Sequence, residues 1–211
     1  MRQATRYDEA VKLFTLLLLA CAAIAQTGPI PEWFLSGMNR TQFGVKLDRE
    51  VSHGGSASAR IECFAKRCET FGTLMQTIKA DAYVGQRIRL SAWVKAVDAG
   101  QPRIWMRVDG DEGDTLAIDN MDGRAKSGSF DWRQMQIVLN VGKNAALINY
   151  GVILESRGMA WIDDVTIEAV DRTVKTTGMS HVTGSGQGNA AAIRKRWERS
   201  ADRPMNPDFE Q

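Results

Sequence analysis

Between Gln26 and Asp171 apolar residues recur at every second position in one short segment after another, and no stretch sustains a helical period. Alternation of this kind buries one face of a strand and leaves the other polar. Ala57, Ala59, Ile61 and Cys63 share the apolar face of the first clear segment. Ile88, Leu90, Ala92 and Val94 share that of the next, and Ile104, Met106 and Val108 that of RIWMRVDG. Leu116 with Ile118, Met135 to Val141, Ile148 to Leu154, and Trp161 with Val165 and Ile167 continue the pattern. Turn signals separate the segments at His53-Gly54-Gly55-Ser56, Asp109 to Asp114, Asp122-Gly123 and Ser156-Arg157-Gly158. Many half-buried strands at such spacing predict an all-β domain, an antiparallel β-sandwich.

The two ends of the chain break the pattern. Lys12 precedes an apolar run from Leu13 to Ala25 that closes on Ala23-Ile24-Ala25, the layout of a signal peptide, and the run is shorter than the roughly 20 residues that span a bilayer. Leu18-Leu19-Ala20-Cys21 approximates a lipobox, so a membrane partner is expected only if Cys21 is lipidated. Beyond Asp171, Thr173 to Ala190 is rich in Thr, Ser and Gly, and AAIRKRWERS could form a short basic helix. Residues 1–25 are therefore assigned as signal peptide, 26–171 as the β-sandwich domain and 172–211 as a flexible basic tail. The expected location is periplasmic or secreted.

Composition narrows the chemistry. The chain has 211 residues, 44% hydrophobic and 25% charged, with a net charge of +2, which fits a folded domain and gives no basic excess for nucleic acid. Residues 26–171 carry 17 basic and 19 acidic side chains, and residues 172–211 carry seven and four. Two histidines, His53 and His181, and three cysteines are too few for a zinc ribbon or a cysteine–histidine nucleophile pair. Export leaves Cys63 and Cys68 in an oxidising compartment, where they are expected to close a disulfide around Phe64 to Arg67; two free thiols are the alternative.

Val51-Ser52-His53-Gly54-Gly55-Ser56-Ala57-Ser58-Ala59-Arg60-Ile61 resembles the turn-to-strand signature of galactose-binding-like jelly rolls, the architecture of many carbohydrate-binding modules. Ala160 to Glu168 resembles their closing strand, and Asp131-Trp132 opens a strand in their manner. The stretch from Phe71, with WMRVDG from Trp105 and LAIDNM from Leu116, is similar to one bacterial subgroup of exported proteins and accessory domains of AraC-type regulators. Arg203 to Glu210 resembles the opening segment of another such jelly roll. The resemblance implies a jelly-roll sandwich, and it implies that Asp163, on the closing strand, could help to hold a structural calcium with loop oxygens. Bonding of Asp163 to backbone N–H groups is the alternative.

The candidate ligand-binding residues follow from alternation. With Ile88 to Val94 and Ile104 to Val108 inward, Arg89, Trp93, Arg103, Trp105 and Arg107 point outward, and they are expected on one sheet face. An indole suits the C–H face of a pyranose and arginine its hydroxyls. Cover over this face is the alternative. Asp109 to Asp114 lacks the spacing of an EF-hand, and no nucleophile or phosphate-loop motif occurs. Asp109, Asp119 and Glu155 offer no evident catalytic pair. The expected function is a non-catalytic, exported module that recognises carbohydrate; the alternative is a structural or protein-interaction domain of the cell envelope.

Overall fold

The computed structural model describes residues 30–182 and 189–211. The signal-peptide and Cys21 assignments lie outside these residues. Eleven strands and one α-helix are described: β1 (Phe34–Gly37), β2 (Phe43–Asp48), β3 (Ser58–Cys63), β4 (Phe71–Lys79), β5 (Arg87–Ala99), β6 (Arg103–Gly110), β7 (Thr115–Asp119), β8 (Gly128–Asn140), β9 (Ala145–Glu155), β10 (Met159–Val170), β11 (Met179–Val182) and α1 (Ala190–Trp197). They form two antiparallel sheets, a six-stranded one ordered β1-β4-β9-β6-β7-β11 and a five-stranded one ordered β2-β3-β10-β5-β8. No helix among the described residues is long and apolar enough to cross a membrane.

The core is the apolar side of each alternating segment. Ile88, Leu90, Ala92 and Val94 from the five-stranded sheet meet Ile104, Met106 and Val108 from the six-stranded one, and all are at most 1% exposed. Ile148, Tyr150, Val152 and Leu154 complete the facing layer. The Cys63–Cys68 disulfide is formed, its Cα atoms 6.1 Å apart, and it clips the loop after β3.

Three features depart from the sequence expectations. First, β5 and β6 are consecutive but lie in different sheets. Asp98 and Gln101 take positive φ at the corner between them, and a Cβ on Gly100 would stand 2.3 Å from the Glu155 carbonyl oxygen. The chain therefore arches between the sheets instead of closing a hairpin. Trp93 and Arg89 consequently lie on the outer face of one sheet, and Trp105, Arg103 and Arg107 on that of the other.

Second, β10 carries a bulge. Asp163 pairs with Trp93 but Thr166 with Ser91, an extra residue absorbed at Asp164, whose φ is 48°. The bulge reverses the alternation, so Trp161 and Asp163 point to the outer side while Val165 and Ile167 point inward, instead of all four sharing one face. Trp161 stays buried there because Arg60 covers its ring and its Nε1 donates to Asp48 at 3.0 Å.

Third, the segment expected as a flexible tail packs on the sandwich where it is described. Phe209 is fully buried and Ile193 is 2% exposed. The Met205 amide donates to Gln76 Oε1 at 2.9 Å on one sheet, while the Pro207 carbonyl accepts from Val165 N–H at 2.9 Å on the other. Residues 205–210 thus strap the two sheets together along one open side. Glu210 closes the strap by accepting from the Ser56 and Ala57 amides.

Candidate functional site

The outer face of the six-stranded sheet carries a groove of about 610 Å³ whose middle is Trp105 on β6. Its indole reaches across β9 to β4, where Nε1 donates to Thr73 Oγ1 at 2.8 Å. The residue paired with Trp105 on β9 is Gly151. A Cβ there would lie 2.1 Å from the Leu74 carbonyl oxygen, so only glycine lets the strands approach this closely. Met75 and Ile153 pack against Trp105, with Phe71 beside them, and together they make an apolar floor. Trp105 is 9% exposed and so forms part of that floor instead of projecting from it. Phe34 from β1 and Met38 form an exposed apolar rim, 47% and 77% accessible.

Arg107 and Arg196 line the groove, whereas Arg103 is buried behind the lining residue Asn120. Arg103 donates to Glu155 at 2.5 Å and to the carbonyls of Asn120 and Gln101. Arg107 holds Asp109 through two bonds, Nε to Oδ1 at 2.6 Å and Nη2 to Oδ2 at 2.9 Å. Asp109 is fully buried and also accepts from Asn149 Nδ2 at 2.9 Å. The helix α1 begins with Asn189 accepting from the Ala192 amide as its cap. It brings Arg196 to the same cluster, 2.5 Å from Asn149 Oδ1 and 3.5 Å from Asp109 Oδ2. Asp109 is therefore an ion-paired strand residue, whereas the sequence suggests a solvated turn.

Trp93 has a different setting. On the outer face of the five-stranded sheet its ring stacks on His53, centroids 3.9 Å apart, and Trp132 approaches His53 edge-on. His53 Nδ1 lies 2.7 Å from Asp164 Oδ2. Arg89 is engaged with Glu168 on the same sheet. Neither Trp93 nor Arg89 lines the groove.

Asp163 is fully buried beneath the His53 turn. Its Oδ2 accepts from the amides of His53 at 2.8 Å and Gly54 at 3.2 Å, and its Oδ1 from that of Asp164 at 2.8 Å. Burial pushes this carboxyl up, the three amides pull it down, and the balance lies above the ordinary aspartate value. Amide hydrogens converging on both oxygens supply the positive partner that a buried carboxylate requires. These are the backbone N–H bonds named as the alternative to a calcium role for Asp163. Among the described residues no group of three His, Cys, Asp or Glu side chains is placed to hold a metal.

Of the five residues expected to bind ligand, the groove thus gathers Trp105 and Arg107, while Arg103 is buried outside its lining. Phe34, Phe71, Met75 and Arg196 go unnoticed in the sequence. The available signal was β4, FGTLMQTIK, apolar on both faces, as a strand covered on both sides should be.

No family model matches the chain. It is 40% identical over 149 residues to an uncharacterized HTH-type transcriptional regulator of Bacillus subtilis strain 168, a match of 70% of this chain and 50% of the regulator. The chain spans about half the length of that relative. Among solved structures it is similar to the enzymatically active domain of tailspike protein 4 of bacteriophage CBA120, with a TM-score of 0.54 and 16% identity, covering 69% of this chain and 20% of that one. It is also similar to the CBM22-1-GH10 modules of the Clostridium thermocellum endo-1,4-beta-D-xylanase 10B complexed with xylohexaose, with a TM-score of 0.50 and 14% identity, covering 72% and 29%. At these identities the likeness is one of fold, the β-sandwich found in carbohydrate-binding modules.

Proposed function

We propose that the chain is an exported, non-catalytic carbohydrate-binding module whose ligand lies in the groove over Trp105. The observation that carries this reading is the apolar floor of Trp105, Met75 and Ile153, rimmed by Phe34, with Arg107 and Arg196 in the same lining. Sugars are held by that combination: C–H faces pack on apolar and aromatic surface while forked donors take the hydroxyls. The shared fold with carbohydrate-binding modules supports the same reading. Export is supported by the Cys63–Cys68 disulfide, which suits an oxidising compartment.

The carboxylates argue for binding without hydrolysis. A glycosidase needs two of them free to act across the sugar. Here Asp109 is tied to Arg107, Glu155 to Arg103, and Asp119 to Arg124. A second reading, an envelope protein as partner, rests on the exposed rim of Phe34 and Met38. A glycan array probed with the exported chain decides between them. Saturable binding to a defined set of glycans, without release of reducing ends, supports the module; no glycan above background, together with a reproducible protein partner from envelope extracts, supports the alternative.

A further inference from the structure

Charge is unevenly matched among the arginines in and beside the groove. Behind the lining residue Asn120 all three guanidinium nitrogens of Arg103 are spent, on Glu155 and on two backbone carbonyls, and Asp122 Oδ1 lies 3.8 Å from Nη2. With two carboxylates to one guanidinium, no positive charge is in surplus there. Within the lining, Arg107 and Arg196 share a single carboxylate, that of Asp109. Its oxygens are taken by the fork of Arg107 and by Asn149, so Arg196 spends its short bond on the neutral amide oxygen of Asn149, which already accepts from Thr77. Among the described residues, one positive charge here is left without a matching carboxylate. Beyond Arg196 the adjoining hollow holds Glu32 and Arg199, one charge of each sign, which does not alter the count. The Arg196 side chain is 35% accessible, against 15% for Arg107.

We infer that the groove selects a glycan bearing a carboxylate, a uronate-type sugar, with the acid seated against Arg107 and Arg196. This rests on the reading that the groove holds carbohydrate. Arg107 follows Trp105 by two residues on the same face of β6, a separation of about 6.8 Å along a strand. A sugar ring over the apolar floor beside Trp105 therefore carries its exocyclic substituent toward the guanidiniums. The planar fork of arginine matches a carboxylate in both charge and geometry. A neutral hydroxymethyl group in the same place leaves the surplus charge unanswered. Arg196 comes from α1, so residues 189–211 contribute selectivity as well as stability.

The test is a paired measurement on the full chain: affinity for a panel of uronate-containing oligosaccharides and for the same oligosaccharides with each carboxyl reduced to a hydroxymethyl. The expected result is at least about tenfold tighter binding of the acid form for the recognised member, and a ratio falling to within about twofold of unity in Arg196→Gln. Equal affinity of the unaltered chain for both forms overturns the carboxylate inference and leaves carbohydrate binding standing. Binding of neither form overturns both. The comparison on the unaltered chain stands even if Arg196→Gln lowers stability.

Discussion

The Phe209 ring lies 5.1 Å, centroid to centroid, from that of Trp33, at the opposite end of the described sequence. Trp33 in turn meets Tyr150 edge-on at 5.6 Å, and its Nε1 donates to the Met205 and Asn206 carbonyls. Asn206 and Phe209 of the strap are thus buried with the core. Replacing a fully buried phenylalanine by alanine removes its transfer energy and leaves a cavity, about 3–5 kcal/mol. Phe209→Ala is expected to lower unfolding stability by that amount in urea titration. A loss below about 1 kcal/mol would show that the strap is not held as described.

The position of the two tryptophans separates site from scaffold. Trp93→Ala is expected to leave glycan affinity within about twofold, because that ring is stacked on His53 on the far sheet. Phe34→Ala should weaken binding about tenfold or more, with a stability change within about 1 kcal/mol because the ring is half exposed. Isothermal titration with the best array ligand reads both. The reverse order of effects would move the site to the five-stranded sheet.

Acid should loosen the strap. The Ser56 hydroxyl and amide hold the Glu210 carboxyl below its ordinary value of 4.5, outweighing the opposing effect of burial. A depressed folded value contributes stability that is present above the unfolded value and is lost as pH falls through the folded one. Glu210→Gln should therefore lower the melting temperature at pH 7, and its deficit against the unaltered chain should shrink toward pH 3. A deficit independent of pH would refute the linkage.

The disulfide spans five positions in sequence, so its effect on the unfolded chain is small, about 2 to 3 kcal/mol. Protein from an oxidising compartment should show no thiol at Cys63 or Cys68 after denaturation. Reduction, or Cys63→Ser with Cys68→Ser, should lower the melting temperature without abolishing the fold. Two titratable thiols at these positions would break both the pairing and the support it lends to export.

Much of the core was legible in the sequence because alternation specifies a side chain's side of its own strand. Ile88 to Val94 and Ile148 to Leu154 are inward as their spacing predicts. Alternation says nothing of which strands are neighbours, so the arch at Gly100 that parts Trp93 from Trp105 left no periodic trace. A single inserted residue at Asp164 was equally silent, yet it reversed Trp161 and Asp163 relative to Val165. Phe209 is an isolated apolar residue in polar surroundings and Ile193 follows only three alanines, so no period marks either as core. Arg196 reads as one charge in a basic run until the helix carries it to Asn149 and Asp109.

The most direct test of the account is a titration of isotopically labelled chain with its array-selected glycan, followed by amide and indole chemical shifts. The account predicts saturable shifts confined to the groove, at the Trp105 indole N–H, Thr73, Met75, Ile118 and Ile153, with Phe34 at the rim. Shifts centred instead on His53, Trp93 and Trp132, or no shift with any glycan, would contradict it.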